Sequence, residues 1–192
     1  CMGAELTYAD LDQLSARVAS WLQAKGLKKG SRVAVMMPNV LQYPVVVAGI
    51  LRAGCVVVNV NPMYTPRELE HQLHDSGAEA IFILENFATT LQAIQARGHL
   101  KHVVVASMGD LMGLVKGALT NFVVRRVRKM VPAWSLPGHH RFGQVLTEGA
   151  RQAYKPVTLT PDDVAFLQYT GGTTGVSKGA TLLQRNLLSN VL

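Results

Sequence analysis

Arg32-Val33-Ala34-Val35-Met36-Met37, stopped by Pro38-Asn39, is the stretch that decides the fold. After Arg32 it is apolar without interruption, where a strand with one wet face would alternate. A continuous apolar strand is buried on both faces, which places it inside a mostly parallel sheet covered by helices. The same reading applies to Cys55–Val60, Ala80–Leu84 and His102–Ala106. Helical patterns separate them. Over residues 7–25, Leu11, Leu14, Val18, Trp21 and Leu22 repeat at three to four, Thr7 with Asp10 forms a capping box, and Gly26 ends the helix. Residues 40–52 are almost wholly apolar, and their length with Gly54 beyond predicts a buried helix. Thr65-Pro66-Arg67-Glu68 combines an N-cap, a proline at N1 and a reciprocal glutamate, and that helix runs to Ser76 and stops at Gly77. A further helix is predicted over 87–97. The order is strand and helix in alternation, the pattern of an α/β domain built as a layered, mostly parallel sheet flanked by helices.

The rhythm breaks at 107–141, which holds Gly109, Gly113, Gly117, Pro132 and Pro137. It reads as an excursion before the sheet resumes at Val164. The formal charge of +7 resides there. Residues 97–141 hold eight basic residues against Asp110, and the remainder sums to zero. Such a local patch, with no homeodomain, zinc-finger or RNP pattern, argues against a nucleic-acid protein. The chain of 192 residues with 48% apolar content is large enough to bury a core and too apolar to be disordered. No apolar run reaches the roughly 18 residues of a membrane span. The opening, Cys1-Met2-Gly3-Ala4-Glu5-Leu6-Thr7, lacks both the basic and the apolar parts of a secretory signal. With no methionine at position 1, it reads as the interior of a longer chain. Cys55, in an apolar run far from Cys1, reads as a buried free thiol in a reducing compartment.

Directly after Val164-Ala165-Phe166-Leu167-Gln168 comes Tyr169-Thr170-Gly171-Gly172-Thr173-Thr174-Gly175-Val176-Ser177-Lys178-Gly179. Ser177 stands where a Walker A motif needs glycine, and the spacing of a dinucleotide fingerprint fails. The chemistry is still that of a polyphosphate cradle. Glycines let the backbone N–H groups approach an anion, Thr170, Thr173 and Thr174 add hydroxyl donors, and Lys178 adds a mobile cation. A glycine- and threonine-rich surface turn is the plain alternative, and the length of the string weighs against it.

Tyr169 to Gly179 resembles the ATP/AMP signature of the adenylate-forming superfamily, which includes acyl-CoA synthetases, peptide-synthetase adenylation domains and luciferases. Gly172 stands where serine is usual, a departure characteristic of bacterial long-chain fatty acid–CoA ligases. Met37-Pro38-Asn39-Val40-Leu41-Gln42-Tyr43-Pro44, Leu51-Arg52-Ala53-Gly54, the run from Val57 to Leu69, and Asp75-Ser76-Gly77-Ala78 resemble the same subgroup. Leu183-Gln184 departs from the family's threonine-histidine. The resemblance implies that residues 1–192 are part of an N-terminal AMP-binding domain. It implies that Thr170, Gly171, Gly172, Thr173, Thr174 and Gly175 surround the ATP phosphates, with Lys178 assisting. It further implies Mg²⁺, coenzyme A as co-substrate, a long-chain fatty acid, and a homodimer in the full-length form. The family's adenine, Mg²⁺, acyl and ribose sites and its small C-terminal domain with the catalytic lysine would lie beyond Leu192. No catalytic residue is therefore assigned in this stretch, and by itself it is expected to be inactive.

Two alternatives stay open beside the CoA ligase: an adenylation enzyme that loads another carboxylate onto a carrier protein, and a non-catalytic nucleotide-binding or interaction module. Two readings also stay open for Leu119–Val131, where Arg125, Arg126, Arg128 and Lys129 alternate with apolar residues. On a helix, Phe122, Val123, Val127, Met130 and Val131 would gather on one side. The four cations then either attach the protein to an anionic membrane surface, peripheral on the inner face of the cytoplasmic membrane, or form the solvated face of an ordinary amphipathic helix. His71 and His74 share a helix face and read as a surface pair, so no metal ligand is assigned.

Overall fold

A computed structural model describes residues 1–94, 100–170 and 178–191. It contains a seven-stranded sheet: β1 (Arg32–Met36), β2 (Val56–Asn59), β3 (Ala80–Leu84), β4 (His102–Ala106), β5 (His140–Arg141), β6 (Val164–Thr170) and β7 (Lys178–Leu183). The spatial order is β5-β4-β3-β1-β2-β6-β7. Every neighbouring pair is parallel except β6 and β7. The helices are α1 (Tyr8–Ala24), α2 (Gln42–Arg52), α3 (Pro66–Ser76), α4 (Ala88–Gln92), α5 (Leu114–Phe122), α6 (Phe142–Gly149) and α7 (Gln184–Val191).

The apolar strands are buried on both faces, as their composition predicts. Val33, Val35, Val57, Phe82, Leu84 and Val104 join one core with α1, α2 and α6. Ala34, Met36, Val58, Ile81, Ile83 and Val105 join another with α3, α4 and Leu136. Successive residues point to opposite faces of the sheet, so each strand feeds both cores. The predicted helix starts hold. Thr7 and Asp10 cap α1 reciprocally, and Thr65 and Glu68 do the same for α3. Gly77 ends α3 at φ 61°, a left-handed conformation that glycine adopts without a Cβ penalty.

Three elements differ from the sequence reading. The sheet resumes at His140 rather than Val164, because β5 pairs with β4 through Val104↔His140 and Val105↔Arg141. A two-residue strand carries no apolar run by which to recognise it. Next, α6 follows at once and buries Phe142, Val145 and Gly149. The third difference is β7, which lies antiparallel to β6. The connection 171–177 is too short for a parallel crossover, which needs about a dozen residues. The helix predicted over 87–97 is shorter here, a 3₁₀ turn at Glu85–Phe87 followed by α4, and residues 95–99 lie outside the described residues.

Candidate functional site

The parallel strands end together at one edge of the sheet, at Met36, Asn59, Leu84, Ala106 and Thr170. In open α/β sheets, ligands bind beyond this carboxyl edge. The Tyr169–Gly179 string sits there because its first two residues finish β6 and its last two begin β7. The register pairs Thr170 with Lys178 and Tyr169 with Gly179. The structure thus brings Thr170 and Lys178 face to face at the base of the connection 171–177. Both are exposed. The predicted phosphate contacts Gly171, Gly172, Thr173, Thr174 and Gly175 fall outside the described residues.

The frame beneath that base is tied down by side chains that sequence reasoning did not single out. Tyr169 is buried, and its hydroxyl donates to Asp75 Oδ2 at 2.5 Å. Burial and then the Asp75 carboxylate push the phenol pKa up, so the hydroxyl keeps its proton and remains a donor. The ring lies across Gly179, where a Cβ would meet ring carbons at 3.0 Å. One residue earlier, Gln168 Oε1 accepts from Asn59 Nδ2 at 2.8 Å. Asn59 Oδ1 in turn accepts from the Tyr43 hydroxyl at 3.0 Å, and the Asn59 carbonyl accepts from Gln72 Nε2 at 2.7 Å. The end of β6 is therefore fastened to β2, α2 and α3. Tyr43 and Asp75 lie inside stretches quoted for the family resemblance, and that was the only signal for them.

The predicted cations 125–129 lie on the far half of the sheet. A π-helical turn at Val123–Val127 continues α5. Arg125, exposed like the other three cations, is also ion-paired. Its guanidinium donates from Nε to both Glu85 oxygens, at 3.0 and 3.1 Å, and from Nη2 to Glu85 Oε2 at 2.8 Å and to Ser107 Oγ at 2.9 Å. Glu85 is only 3% exposed, so Arg125 neutralises a buried carboxylate. Arg126, Arg128 and Lys129 are exposed. Two clefts, of about 600 and 370 Å³, lie away from Thr170 and Lys178. The larger is walled by Arg32, Val56 and Val164, the first residues of their strands. Among the described residues, no three His, Cys, Asp or Glu side chains are grouped to hold a metal ion. His71 and His74 are both exposed.

Comparison with known proteins places these features in context. Residues 1–192 match the family model described as AMP-binding enzyme. The long-chain-fatty-acid–CoA ligase of Escherichia coli O157:H7 is 54% identical over 191 residues, covering 99% of this chain and 34% of that protein. The long-chain-fatty-acid–CoA ligase of Bacillus subtilis (strain 168) is 32% identical over 189 residues, covering 98% of this chain and 34% of that protein. Among solved structures, a long-chain-fatty-acid-CoA ligase from Archaeoglobus fulgidus superposes with a TM-score of 0.73 at 26% identity, over 96% of this chain and 31% of that one. An anthranilate CoA ligase in complex with anthranoyl-AMP gives a TM-score of 0.75 at 19% identity, over 95% of this chain and 30% of that one, a likeness of fold. The chain spans about a third of the length of the curated relatives it matches.

Proposed function

The chain belongs to the AMP-binding enzyme family, and from that premise we propose that the complete protein is an ATP-dependent ligase that converts long-chain fatty acids to acyl-CoA. The observation that carries the proposal is the pairing of Thr170 with Lys178 at the carboxyl edge, which frames the family's phosphate string. The identity to the Escherichia coli ligase supports the acyl substrate.

A carboxylate is a poor acyl donor because its leaving group would be oxide. In the first step, a fatty carboxylate oxygen attacks the α-phosphorus of ATP and the bond to pyrophosphate breaks. In the second, the coenzyme A thiol attacks the acyl carbonyl, its proton is lost, and AMP leaves. Within this chain, Thr170, Gly171, Gly172, Thr173, Thr174 and Gly175 supply N–H and hydroxyl donors to the phosphates. Lys178 adds a cation where charge develops on departing pyrophosphate. Mg²⁺ would offset phosphate charge. The proposal extends to a peripheral position on the inner face of the cytoplasmic membrane, supported by the exposed cations Arg126, Arg128 and Lys129. No described helix is long and apolar enough to cross a membrane.

The test is ATP–pyrophosphate exchange by the full-length protein over a series of fatty acids from short to long. Exchange that rises with acyl length, followed by thioester formation when coenzyme A is added, is the expected result. A folded protein with no exchange on any fatty acid overturns the proposal, and adenylation without transfer to coenzyme A redirects it to a carrier-protein acceptor.

A further inference from the structure

An ordinary surface helix turns its apolar stripe toward the core and its charges toward water. The segment from Leu114 to Met130 buries Val124 but leaves most of its large apolar side chains in the open beside its cations. Leu114, Val115, Leu119, Phe122, Val127 and Met130 are between 54% and 94% exposed. They make up six of the ten exposed large apolar residues among those described, the other four being Met2, Tyr8, Met63 and Leu188.

The orientation is built in, because the inward face carries the contacts that hold it. Gly117 lies against Gly109, and a Cβ on either would stand 2.3 to 2.4 Å from the other's carbonyl oxygen. Asn121 Oδ1 accepts from Gly109 N–H at 2.8 Å. Arg125 reaches in to the buried Glu85. Gly117, Asn121 and Arg125 are four residues apart and so share one helix face. The π-helical turn at Val123–Val127 advances each residue by a smaller rotation than an α-helix does, which brings Arg125 closer to the line of Gly117 and Asn121. The same change leaves Val127 on the outer side with Leu119. Beyond the turn, Asn86 Nδ2 donates to the Met130 carbonyl at 3.0 Å and fixes the end of the segment.

Charge identifies the occupant of this face. No Asp or Glu occurs between Asp110 and Glu148. Lys116, Arg126, Arg128 and Lys129 are all exposed beside the apolar residues. An apolar stripe flanked by cations, with no acid among them, complements an anionic bilayer, whose acyl region takes the stripe and whose headgroups take the cations.

We propose that the outer face of Leu114–Met130 docks on an anionic lipid bilayer by inserting its apolar side chains, with Lys116, Arg126, Arg128 and Lys129 at headgroup level and Arg125 tying the segment to Glu85. This deepens the membrane part of the proposed function, and only its link to acyl supply rests on that reading.

The experiment is flotation of the full-length protein with vesicles of phosphatidylglycerol and phosphatidylcholine in equal parts, and of phosphatidylcholine alone. The protein is expected to float with the anionic vesicles. Leu119→Ser with Phe122→Ser should lower binding about tenfold or more, since two apolar insertions are lost. Arg126→Gln with Arg128→Gln and Lys129→Gln should abolish the preference for anionic vesicles. Neither variant should change Tm or pyrophosphate exchange with a micelle-free medium-chain acid. Absence of flotation, or equal flotation of the Leu119→Ser, Phe122→Ser protein, overturns the proposal. So does a fall in Tm for that variant, which would show that another segment of the full chain covers the face. Expected flotation by a protein without exchange activity upholds the docking surface and removes the activity reading alone.

Discussion

Lys178 and Tyr169 act on the same few ångströms of backbone by different means. Lys178 is an exposed cation opposite Thr170, so its proposed work is electrostatic and specific to the step that releases pyrophosphate. In the full-length enzyme, Lys178→Ala should slow adenylation by about 10- to 100-fold and leave thioester formation from a supplied acyl-adenylate nearly unchanged. Equal losses in the two half-reactions would remove that role. Tyr169→Phe keeps the ring over Gly179 but loses the bond to Asp75. It should lower stability by about 1 kcal/mol and reduce adenylation less than Lys178→Ala does, as measured by denaturant unfolding beside exchange kinetics. The lysine was legible because the glycine- and threonine-rich string frames it. Asp75 was not, because it meets Tyr169 across 94 residues of sequence and only the packing of α3 beside β6 brings them together.

At the scale of elements, the excursion is docked by close backbone contact as well as by the buried Met112, Val124 and Leu136. Gly117 on α5 touches Gly109 so closely that even a methyl group has no room, and the obstructing atoms are main-chain atoms that cannot retreat alone. Gly117→Ala should therefore destabilise the segment by about 1–3 kcal/mol. Limited proteolysis should cut within 107–141 faster than in the parent protein, and unchanged cleavage would show that α5 accommodates the methyl by sliding. The outward apolar side of Leu114–Met130 was only half legible. The mix of cations and apolar residues was visible, but which side faces the body depends on the close approach of Gly117 to Gly109 and on the buried partner Glu85. By contrast, α6 has helical spacing in Phe142, Val145, Leu146 and Gly149 and was open to reading.

Across the whole molecule, the sheet joins remote segments and creates a pH dependence that no single segment carries. Trp21 of α1 packs edge-on against His102 of β4 and His140 of β5, with ring centroids 5.9 and 5.1 Å away. Burial, aided by the charge of Lys25, lowers both imidazole pKa values below the ordinary 6.5. A lowered histidine pKa means that the unfolded chain takes up protons that the folded chain refuses. The stabilisation from neutral histidines is thus full above about pH 6.5 and is lost as pH falls through that value toward the folded pKa. A second loss follows at lower pH. The Glu79 pKa is lowered chiefly by the hydrogen bond from Lys101 and then by Ser31, so its contribution is present above about pH 4.3 and fades below it. Asp110, whose pKa is pushed up to about 6 mainly by desolvation, gains stability over the same range. The histidine decline is therefore read as a difference: between pH 7 and 5 the 192-residue chain should lose more stability relative to its pH 7 value than His140→Gln does. An identical slope in the variant would assign the decline elsewhere.

The continuous apolar runs of β1 to β4, the capping boxes at Thr7 and Thr65 and the glycine-rich string are local patterns, set by neighbours within a turn or a strand. From them the sequence by itself determined a mostly parallel α/β sheet and put the proposed phosphate string directly after β6. Strand order, the antiparallel return of β7, the pairing of His140 with Val104, the Asp75 support under Tyr169 and the outward face of α5 were decided only by the tertiary structure. Each depends on contacts between segments far apart in sequence, where shape and buried polar partners, rather than local periodicity, select the arrangement.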